Sequence, residues 1–278
     1  MAKLINGKEI SSNIRIGLKK QVEELRSKGI TPGLAVVLVG DDPASHTYVN
    51  NKEKACAEVG VRSFIYRLPK ETGEEELGEL IHTLNHDRNV HGLLVQLPLP
   101  KHLNERKILA MIDYRKDVDG FSEINAGGLF RGTEGLFSCT PLGIIELIKS
   151  TGVPIAGKHA VVIGRSNIVG KPVAMMLLQN DATVTICHSK TVDLPDVARQ
   201  ADILVAAIGR PKFVTADMVK EGAIVIDVGT TRVDGKLTGD VDFDGVSQKA
   251  SFITPVPGGV GPMTITMLLH NTILAAGG

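Results

Sequence analysis

The sequence predicts an α/β protein with two domains and mainly parallel sheets. Short runs rich in Val, Ile and Leu alternate with helical patterns along the chain, as in parallel sheets covered by helices. Two such series occur, separated by a stretch rich in glycine and turn residues between 119 and 138. A chain of 278 residues is long enough for two domains that each bury a core.

The domain boundaries follow from these series. We expect residues 1–139 to form a first domain, with a C-terminal helix over 262–278 packing back onto it. Residues 140–261 are then a second, Rossmann-like domain, and a cleft lies between the two.

The first series contains three apolar runs and three segments with helical periodicity. We expect strands at 34–39, 63–68 and 92–97, and helices at 9–28, 44–59 and 74–87. Asp42-Pro43 and Gly60 are start and stop signals for the second of these helices.

The second series has four apolar runs, each preceded by a helix-like segment. Strands are expected at 159–163, 183–187, 203–206 and 223–228. Thr140-Pro141 predicts a helix start, with Thr as the cap and Pro in the first turn. A last helix follows Gly261-Pro262 and runs to about Ala275.

Composition argues against several classes of partner. Lys plus Arg equals Asp plus Glu at 31 each, so we expect binding neither to nucleic acid nor to a membrane surface. There is no apolar run of membrane-spanning or signal-peptide length, so a cytoplasmic location is expected. The three cysteines, at 56, 139 and 187, are expected to be reduced and mostly buried.

A glycine-containing turn marks a candidate dinucleotide site. The strand ending at Ile163 is followed by Gly164-Arg165-Ser166-Asn167-Ile168-Val169-Gly170 and a helix, which places backbone N–H groups and a helix N-terminus against a phosphate. Ser166 replaces the second glycine of the usual GxGxxG pattern, and the spacing to Gly170 is longer. A turn that merely needs glycine is the open alternative.

The end of the next strand indicates which dinucleotide is bound. NAD sites usually have an acidic residue there for the ribose hydroxyls, whereas this chain has His188-Ser189-Lys190-Thr191. Hydroxyl and cationic groups suit a 2′-phosphate, and Arg165 can reach the same pocket, so NADP is favoured over NAD. The alternative is a solvated loop.

Lys52 lies on the apolar face of the helix predicted at 44–59. Val49, Cys56 and Val59 share its stripe, and Tyr48 is its i−4 neighbour. An inward-facing amino group loses hydration, which favours its neutral form and suits acid–base chemistry. The alternative is a lysine whose stem follows the surface to solvent.

Two other polar residues lie where a strand meets a turn. Gln96 interrupts an apolar run near the carboxyl end of a predicted strand, where an inward amide needs a partner. Asp119 lies at the expected domain boundary; its alternative is a turn-forming role before Gly120.

No metal site is expected. The segment from Asp240 to Gly245 mimics the start of a calcium loop, but the twelfth position is Ser251 instead of Glu. His82 and His86 share a helix face without a third ligand nearby in sequence.

Several motifs together resemble one enzyme family. Pro257-Gly258-Gly259-Val260-Gly261-Pro262-Met263-Thr264-Ile265 matches, without a mismatch, a signature of the methylenetetrahydrofolate dehydrogenase/cyclohydrolase family. A second signature matches from Asn85 to Leu99. Tyr48 with Lys52, and the segments 116–121, 164–172 and 227–229, follow in the family's order.

The resemblance implies roles for individual residues. Lys52 would be the acid/base residue, Tyr48 and Gln96 would position and tune it, and Asp119 would bind the pterin. The implied NADP contacts are Gly164, Arg165, Ser166, Ser189 and Thr230. The implied folate contacts, besides the four catalytic residues, are Val95, Leu97, Pro257, Gly258, Gly259, Val260, Gly261 and Pro262.

The resemblance also implies an activity. The chain would oxidise 5,10-methylenetetrahydrofolate with NADP and hydrolyse the methenyl product to 10-formyltetrahydrofolate, as a homodimer in one-carbon metabolism and purine biosynthesis. From the residues alone, two other functions stay open: a dehydrogenase for another small substrate and a nucleotide-binding regulatory module without catalysis. A lysine on an apolar stripe argues against the regulatory module, which has no use for it.

Overall fold

The computed structural model describes residues 1–277, except for the side chain of Ala44. The described chain forms two compact units. Unit 1 contains residues 1–12 and 140–264, and unit 2 contains residues 13–139 and those from 265 onwards. Both units have parallel sheets with helices, which confirms the predicted α/β class.

Unit 2 has a three-stranded parallel sheet. Its strands are β2 (Gly33–Val39), β3 (Arg62–Leu68) and β4 (Gly92–Val95), in the order β3-β2-β4. All seven residues of β2 are buried, because β2 is the central strand. Its helices are α1 (Gly7–Ser27), α2 (Pro43–Val59), α3 (Glu74–His86), α4 (Glu105–Leu109) and α5 (Glu123–Arg131).

Helix α2 begins and ends as its sequence signals predict. The Asp42 carboxylate accepts a hydrogen bond from the Ser45 N–H at 2.8 Å, which satisfies one free donor of the first turn. Gly60 ends the helix in the left-handed conformation, with φ of 89°.

Two expectations for unit 2 need correction. The strand expected at 92–97 ends at Val95: the Gln96 N–H still donates to the Val37 carbonyl of β2, but Pro98 has no N–H with which to continue the ladder. The stretch 119–138, rich in glycine and turn residues and expected to separate the two domains, contains α5. Ser122 caps that helix by accepting from the Asn125 N–H at 3.1 Å, and Gly132 ends it.

Unit 1 has a six-stranded parallel sheet in the order β1-β11-β8-β7-β5-β6. The strands are β1 (Lys3–Leu4), β5 (His159–Ile163), β6 (Thr183–Cys187), β7 (Ile203–Ala206), β8 (Ile224–Asp227) and β11 (Phe252–Ile253). A separate antiparallel pair consists of β9 (Thr231–Val233) and β10 (Lys236–Thr238). The helices are α6 (Cys139–Lys149), α7 (Gly170–Gln179), α8 (Leu194–Ala198) and α9 (Phe243–Ser247), with a 3-10 helix at Ala216–Met218. The last helix, α10 (Val260–Ala275), begins in unit 1 and belongs to unit 2 from residue 265.

The chain termini of unit 1 also differ from expectation. Residues 1–12, expected in the first domain, belong to unit 1, where β1 pairs with β11. Helix α6 begins at Cys139, so Thr140 lies in its first turn instead of capping it, and the Thr140 hydroxyl is 2.9 Å from that of Thr264. Helix α10 begins at Val260, two residues earlier than predicted.

Each unit buries its own core. In unit 2, apolar residues of β2 and β4 pack with one face of α3, including Leu77, Ile81 and Leu84. In unit 1, the strands pack with residues such as Val214, Val219 and Val246. Among residues 1–277, no helix is long and apolar enough to cross a membrane.

Candidate active site

Lys52 and Gln96 are joined directly. The Lys52 Nζ donates a hydrogen bond of 2.9 Å to the Gln96 Oε1. Lys52 is half-buried on α2, on the same face as the buried residues Val49, Cys56 and Val59. Lys52 therefore ends on a specific polar partner instead of reaching solvent along the surface.

The Gln96 amide is fixed from both sides. Its backbone N–H donates to the Val37 carbonyl at 2.8 Å, which holds the residue beside β2. Its Nε2 donates to the Leu97 carbonyl at 2.7 Å. Because both amide hydrogens lie on Nε2, Oε1 is left as an acceptor aimed at Lys52.

Asp119 is the third member of this cluster. Burial raises the pKa of the Asp119 carboxyl above its usual range, and the positive charge of Lys52 partly opposes that rise. The nearby charge of Asp117 adds to the rise in the pKa of Asp119. A carboxyl close enough to feel Lys52 is thus held in a desolvated position.

The turn before Gly120 is built by Asp117 instead of Asp119. The Asp117 carboxylate accepts from the N–H groups of Gly120, at 3.1 Å, and Ser122, at 2.7 Å. It also accepts from the Asn125 Nδ2 at 3.2 Å. The turn-forming role that was the alternative for Asp119 therefore belongs to Asp117, two residues earlier.

Tyr48 lies one turn before Lys52 and is 50% exposed. On the face of α2 that carries Lys52, the residues Val49, Cys56 and Val59 are buried, but Tyr48 is not. Among the described residues, no hydrogen bond joins the Tyr48 hydroxyl to Lys52. Of the other predicted folate contacts in unit 2, Val95 is buried and Leu97 is half-buried.

Two buried cysteines surround the cluster, and sequence reasoning gave them no part in it. Burial raises the pKa of the Cys56 thiol to about 12, although the charge of Lys52 lowers it. Burial, with the charge of Asp119, raises the pKa of the Cys139 thiol well above its usual range. Both thiols are therefore kept protonated, and neither is a ready nucleophile.

The glycine turn after β5 is tightly packed. Gly164 has φ of 129°, and a side chain there would meet the Ala207 carbonyl oxygen. A side chain on Gly170 would meet the Gly164 carbonyl oxygen. The Ser166 Oγ accepts from the N–H groups of Val169 and Gly170, each at 3.2 Å, so Ser166, where the common pattern has glycine, holds the turn that leads into α7.

The remaining predicted dinucleotide contacts lie at the surface of unit 1. Arg165, Ser166, Ser189 and Thr230 are all exposed. His188 is held within its loop, since its Nδ1 accepts from the Lys190 N–H at 3.1 Å and its own N–H donates to the Thr191 hydroxyl at 2.9 Å. Close backbone approach at Gly164, a helix N-terminus and exposed hydroxyl and cationic groups fit a dinucleotide with an extra phosphate.

Two buried carboxylates organise the strand ends of unit 1, and sequence reasoning missed them. Asp240 accepts from three consecutive N–H groups, those of Ile208, Gly209 and Arg210, at 2.7, 3.0 and 2.7 Å. Asp227 accepts from the N–H groups of Gly229, Asp240 and Val241. Burial raises the pKa of Asp227 to about 6. In the sequence, Asp240 stands out only as the first residue of a segment that resembles a calcium loop.

The segment from Pro257 to Pro262 lies against the start of α1 within unit 1. The Lys8 N–H donates to the Gly258 carbonyl at 3.2 Å. A side chain on Gly7 would meet the Gly259 carbonyl oxygen. Gly259 and Val260 are buried, whereas Pro257 and Gly261 are exposed.

A parallel sheet with a packed glycine turn before a helix N-terminus defines a dinucleotide-binding α/β protein. Two family models narrow this class. The tetrahydrofolate dehydrogenase/cyclohydrolase catalytic domain matches residues 5–119, and the NAD(P)-binding domain of the same family matches residues 138–277. The chain belongs to the tetrahydrofolate dehydrogenase/cyclohydrolase family.

Relatives match over their whole lengths. A bifunctional FolD protein of Exiguobacterium sibiricum is 58% identical over 276 residues, covering 99% of this chain and 100% of the relative. A solved FolD methylenetetrahydrofolate dehydrogenase/cyclohydrolase of Campylobacter jejuni is 54% identical, with a TM-score of 0.97, covering 100% of this chain and 99% of the other. The Trypanosoma brucei enzyme, solved with NADP and an inhibitor, is 42% identical with a TM-score of 0.94, covering 99% and 97% of the two chains.

Proposed function

We propose that this chain is a bifunctional folate enzyme. It oxidises 5,10-methylenetetrahydrofolate to 5,10-methenyltetrahydrofolate with NADP, and it hydrolyses that product to 10-formyltetrahydrofolate. The observation that carries the proposal is the hydrogen bond of 2.9 Å from Lys52 to Gln96, in electrostatic reach of the half-buried Asp119. Family membership and full-length similarity to bifunctional FolD proteins support it.

Lys52 is the acid/base group in this proposal. Its Nζ lies beside the site where we place the folate, within reach to exchange protons with a bound substrate. Gln96 holds Nζ in place through one hydrogen bond and leaves its other donors available. Tyr48, one turn earlier and half-exposed, is positioned to contact the substrate beside Lys52.

Asp119 binds the pterin in this proposal. A pterin presents a ring N–H and an amino group side by side, and a carboxylate accepts from both. Val95, Leu97 and the segment 257–262 are proposed as further folate contacts.

NADP fits the turn after β5. When bound, it supplies the hydride acceptor for the oxidation. Gly164, Arg165 and Ser166 at this turn are proposed to contact it, and the positive end of the α7 dipole favours a phosphate there. Ser189 and Thr230 are exposed contacts, and residues 188–191 place no carboxylate against a 2′-phosphate.

The hydrolysis is a proton-transfer reaction. Water adds to the cationic methenyl carbon and loses one proton, which is released. The hydroxyl so formed loses its remaining proton as the bond from that carbon to N5 breaks, and N5 gains a proton, which leaves the formyl group on N10. The Lys52 Nζ relays these protons in our proposal, while Asp119 keeps the pterin from moving.

The wider setting is also proposed from the family resemblance. The protein acts in the cytoplasm as a homodimer, and its formyl product serves one-carbon metabolism and purine biosynthesis. No helix of the described residues spans a membrane.

One assay separates the proposal from its rivals. The purified protein is given 5,10-methylenetetrahydrofolate with NADP, and separately 5,10-methenyltetrahydrofolate alone, with absorbance resolving methenyl from formyl product. We expect both products in the first case and accelerated hydrolysis in the second. NADP binding without either reaction supports a regulatory module, and oxidation of only a different substrate supports another dehydrogenase.

A further inference from the structure

Asn271 is a buried amide in the C-terminal half of α10. It is 1% exposed, and its neighbours Leu268, Leu269 and Ile273 are also buried. Its Nδ2 donates to the Val118 carbonyl and to the Phe137 carbonyl, each at 2.8 Å. An amide in such a place is costly unless both its hydrogens are used, and here both are.

Of the two carbonyls that Asn271 binds, one directly precedes Asp119 and the other belongs to the segment that packs against Gly120. Val118 is the residue before Asp119. Gly120, the residue after Asp119, has φ of 70° and is pressed against the backbone of Phe137 and Ser138, where a Cβ would collide. One amide group therefore holds both the segment that leads into Asp119 and the segment at residues 137–138 against which Gly120 packs.

A second donor supports the same carbonyl. The Cys139 Sγ donates to the Val118 carbonyl at 3.1 Å, and the Asn271 Nδ2 is 3.6 Å from that sulfur. The Asn271 amide, the Cys139 thiol and the Val118 carbonyl are neutral groups, so this contact contains no ion pair. The carbonyl before Asp119 is thus held from two directions.

We propose that Asn271 is a positioning residue for Asp119, which sets the place of the carboxylate that binds the pterin. This inference rests on the proposed function, because it assigns Asn271 to the folate site through Asp119. Without its amide, the Val118 and Phe137 carbonyls lose a buried partner and the segment between them shifts. Asp119 then meets the pterin in a less favourable position.

The test substitutes Asn271→Leu, which keeps much of the shape and removes both donors. Thr272→Val is the matched control: Thr272 is equally buried on the same helix, but its hydroxyl bonds only to Leu268 of its own helix, at 2.8 Å. We expect Asn271→Leu to raise the KM for 5,10-methenyltetrahydrofolate by roughly three- to tenfold, the scale of one or two neutral hydrogen bonds. The NADP dissociation constant should stay within about twofold of wild type, and the KM of Thr272→Val should not change.

Coupling to Asp119 distinguishes positioning from general stability. In an Asp119→Ala background, Asn271→Leu should raise the KM no further, because the group it positions is gone. A KM equal to wild type in the single variant, or the full rise in both backgrounds, overturns the inference. If Asn271→Leu does not fold, Asn271→Ser should give the same KM rise, and an unchanged KM there also overturns it.

Failure of the proposed function looks different. A wild-type protein with neither reaction contradicts the function itself. The wild-type protein could instead be active, with a raised KM in Asp119→Ala and an unchanged KM in Asn271→Leu. That result contradicts only the role of Asn271.

Discussion

The Lys52 Nζ lies 2.9 Å from the Gln96 Oε1, so a charged group on a helix meets an amide just past the end of a strand. Two features that looked separate in the sequence thereby explain each other. The lysine on an apolar face and the amide that needed a partner satisfy one another. The pair leaves two of the ammonium's three hydrogens for another acceptor.

Lys52→Met is expected to leave a folded protein that barely hydrolyses 5,10-methenyltetrahydrofolate. Met suits the apolar face of α2 but carries no protons, and loss of a general acid/base typically costs about 100- to 10,000-fold in rate. Lys54→Met, an exposed lysine on the same helix, is the control and should hydrolyse at the wild-type rate. Hydrolysis by Lys52→Met at that same rate would remove Lys52 from the mechanism.

Asp119→Ala is expected to impair both reactions, because both use the same bound folate. Hydrogen bonds to a charged group contribute roughly 1.5 to 3 kcal/mol, so folate affinity should fall roughly ten- to two-hundredfold. NADP affinity measured without folate should stay near wild type. The comparison is Asp117→Ala, which removes the acceptor of two backbone N–H groups and should chiefly lower the melting temperature. The reverse pattern, with folate binding intact in Asp119→Ala, contradicts the assignment.

Ser189→Asp is expected to weaken the preference for NADP over NAD. The substitution puts a carboxylate where we place the 2′-phosphate, and like charges repel. Steady-state KM values for both cofactors measure the ratio. Thr183→Asp, exposed at the opposite end of β6, adds the same charge elsewhere and should leave the ratio unchanged. If both variants keep the wild-type ratio, the phosphate lies away from Ser189.

Asp227 predicts a pH dependence of stability. Its folded pKa, about 6, is above the ordinary value of 3.8, so its contribution to the free energy of unfolding is fully present below about pH 4. That contribution is lost as pH rises through about 6. Between pH 5 and pH 7 the loss is on the order of 1 kcal/mol. The Asn side chain of Asp227→Asn does not titrate, so the free energy of unfolding of this variant should fall further below that of wild type at pH 5 than at pH 7. An equal difference between the two proteins in thermal melts at both pH values would refute the shift.

Local patterns predicted the central elements well. The seven apolar residues of β2 leave few alternatives to a buried parallel strand, and Asp42 and Gly60 set the ends of α2 through local hydrogen bonds and backbone conformation. Lys52 and Gln96 stood out because each was a polar residue in an apolar context. Such misfits are visible in a single sequence.

Other features depend on contacts far apart in sequence. Pairing of β1 with β11 joins residues 3 and 252, and two-residue strands carry almost no pattern of their own. Helix α5 contains Gly127 and Gly128, which favour a turn, but the buried Asn125 anchors it to the Tyr114 carbonyl at 2.8 Å. The role of Asn271 is likewise invisible until α10 is packed against residues 118 and 137.

The carboxylate of Asp240 fills a cradle of backbone donors at residues 208–210. Without that carboxylate, such a run of N–H groups at the carboxyl edge of a parallel sheet would form a binding site for anions such as phosphate. Here the anion is a side chain of the protein itself, so it cannot dissociate. The loop after β7 is accordingly closed to foreign anions, because its three backbone donors already bind a carboxylate of the same chain.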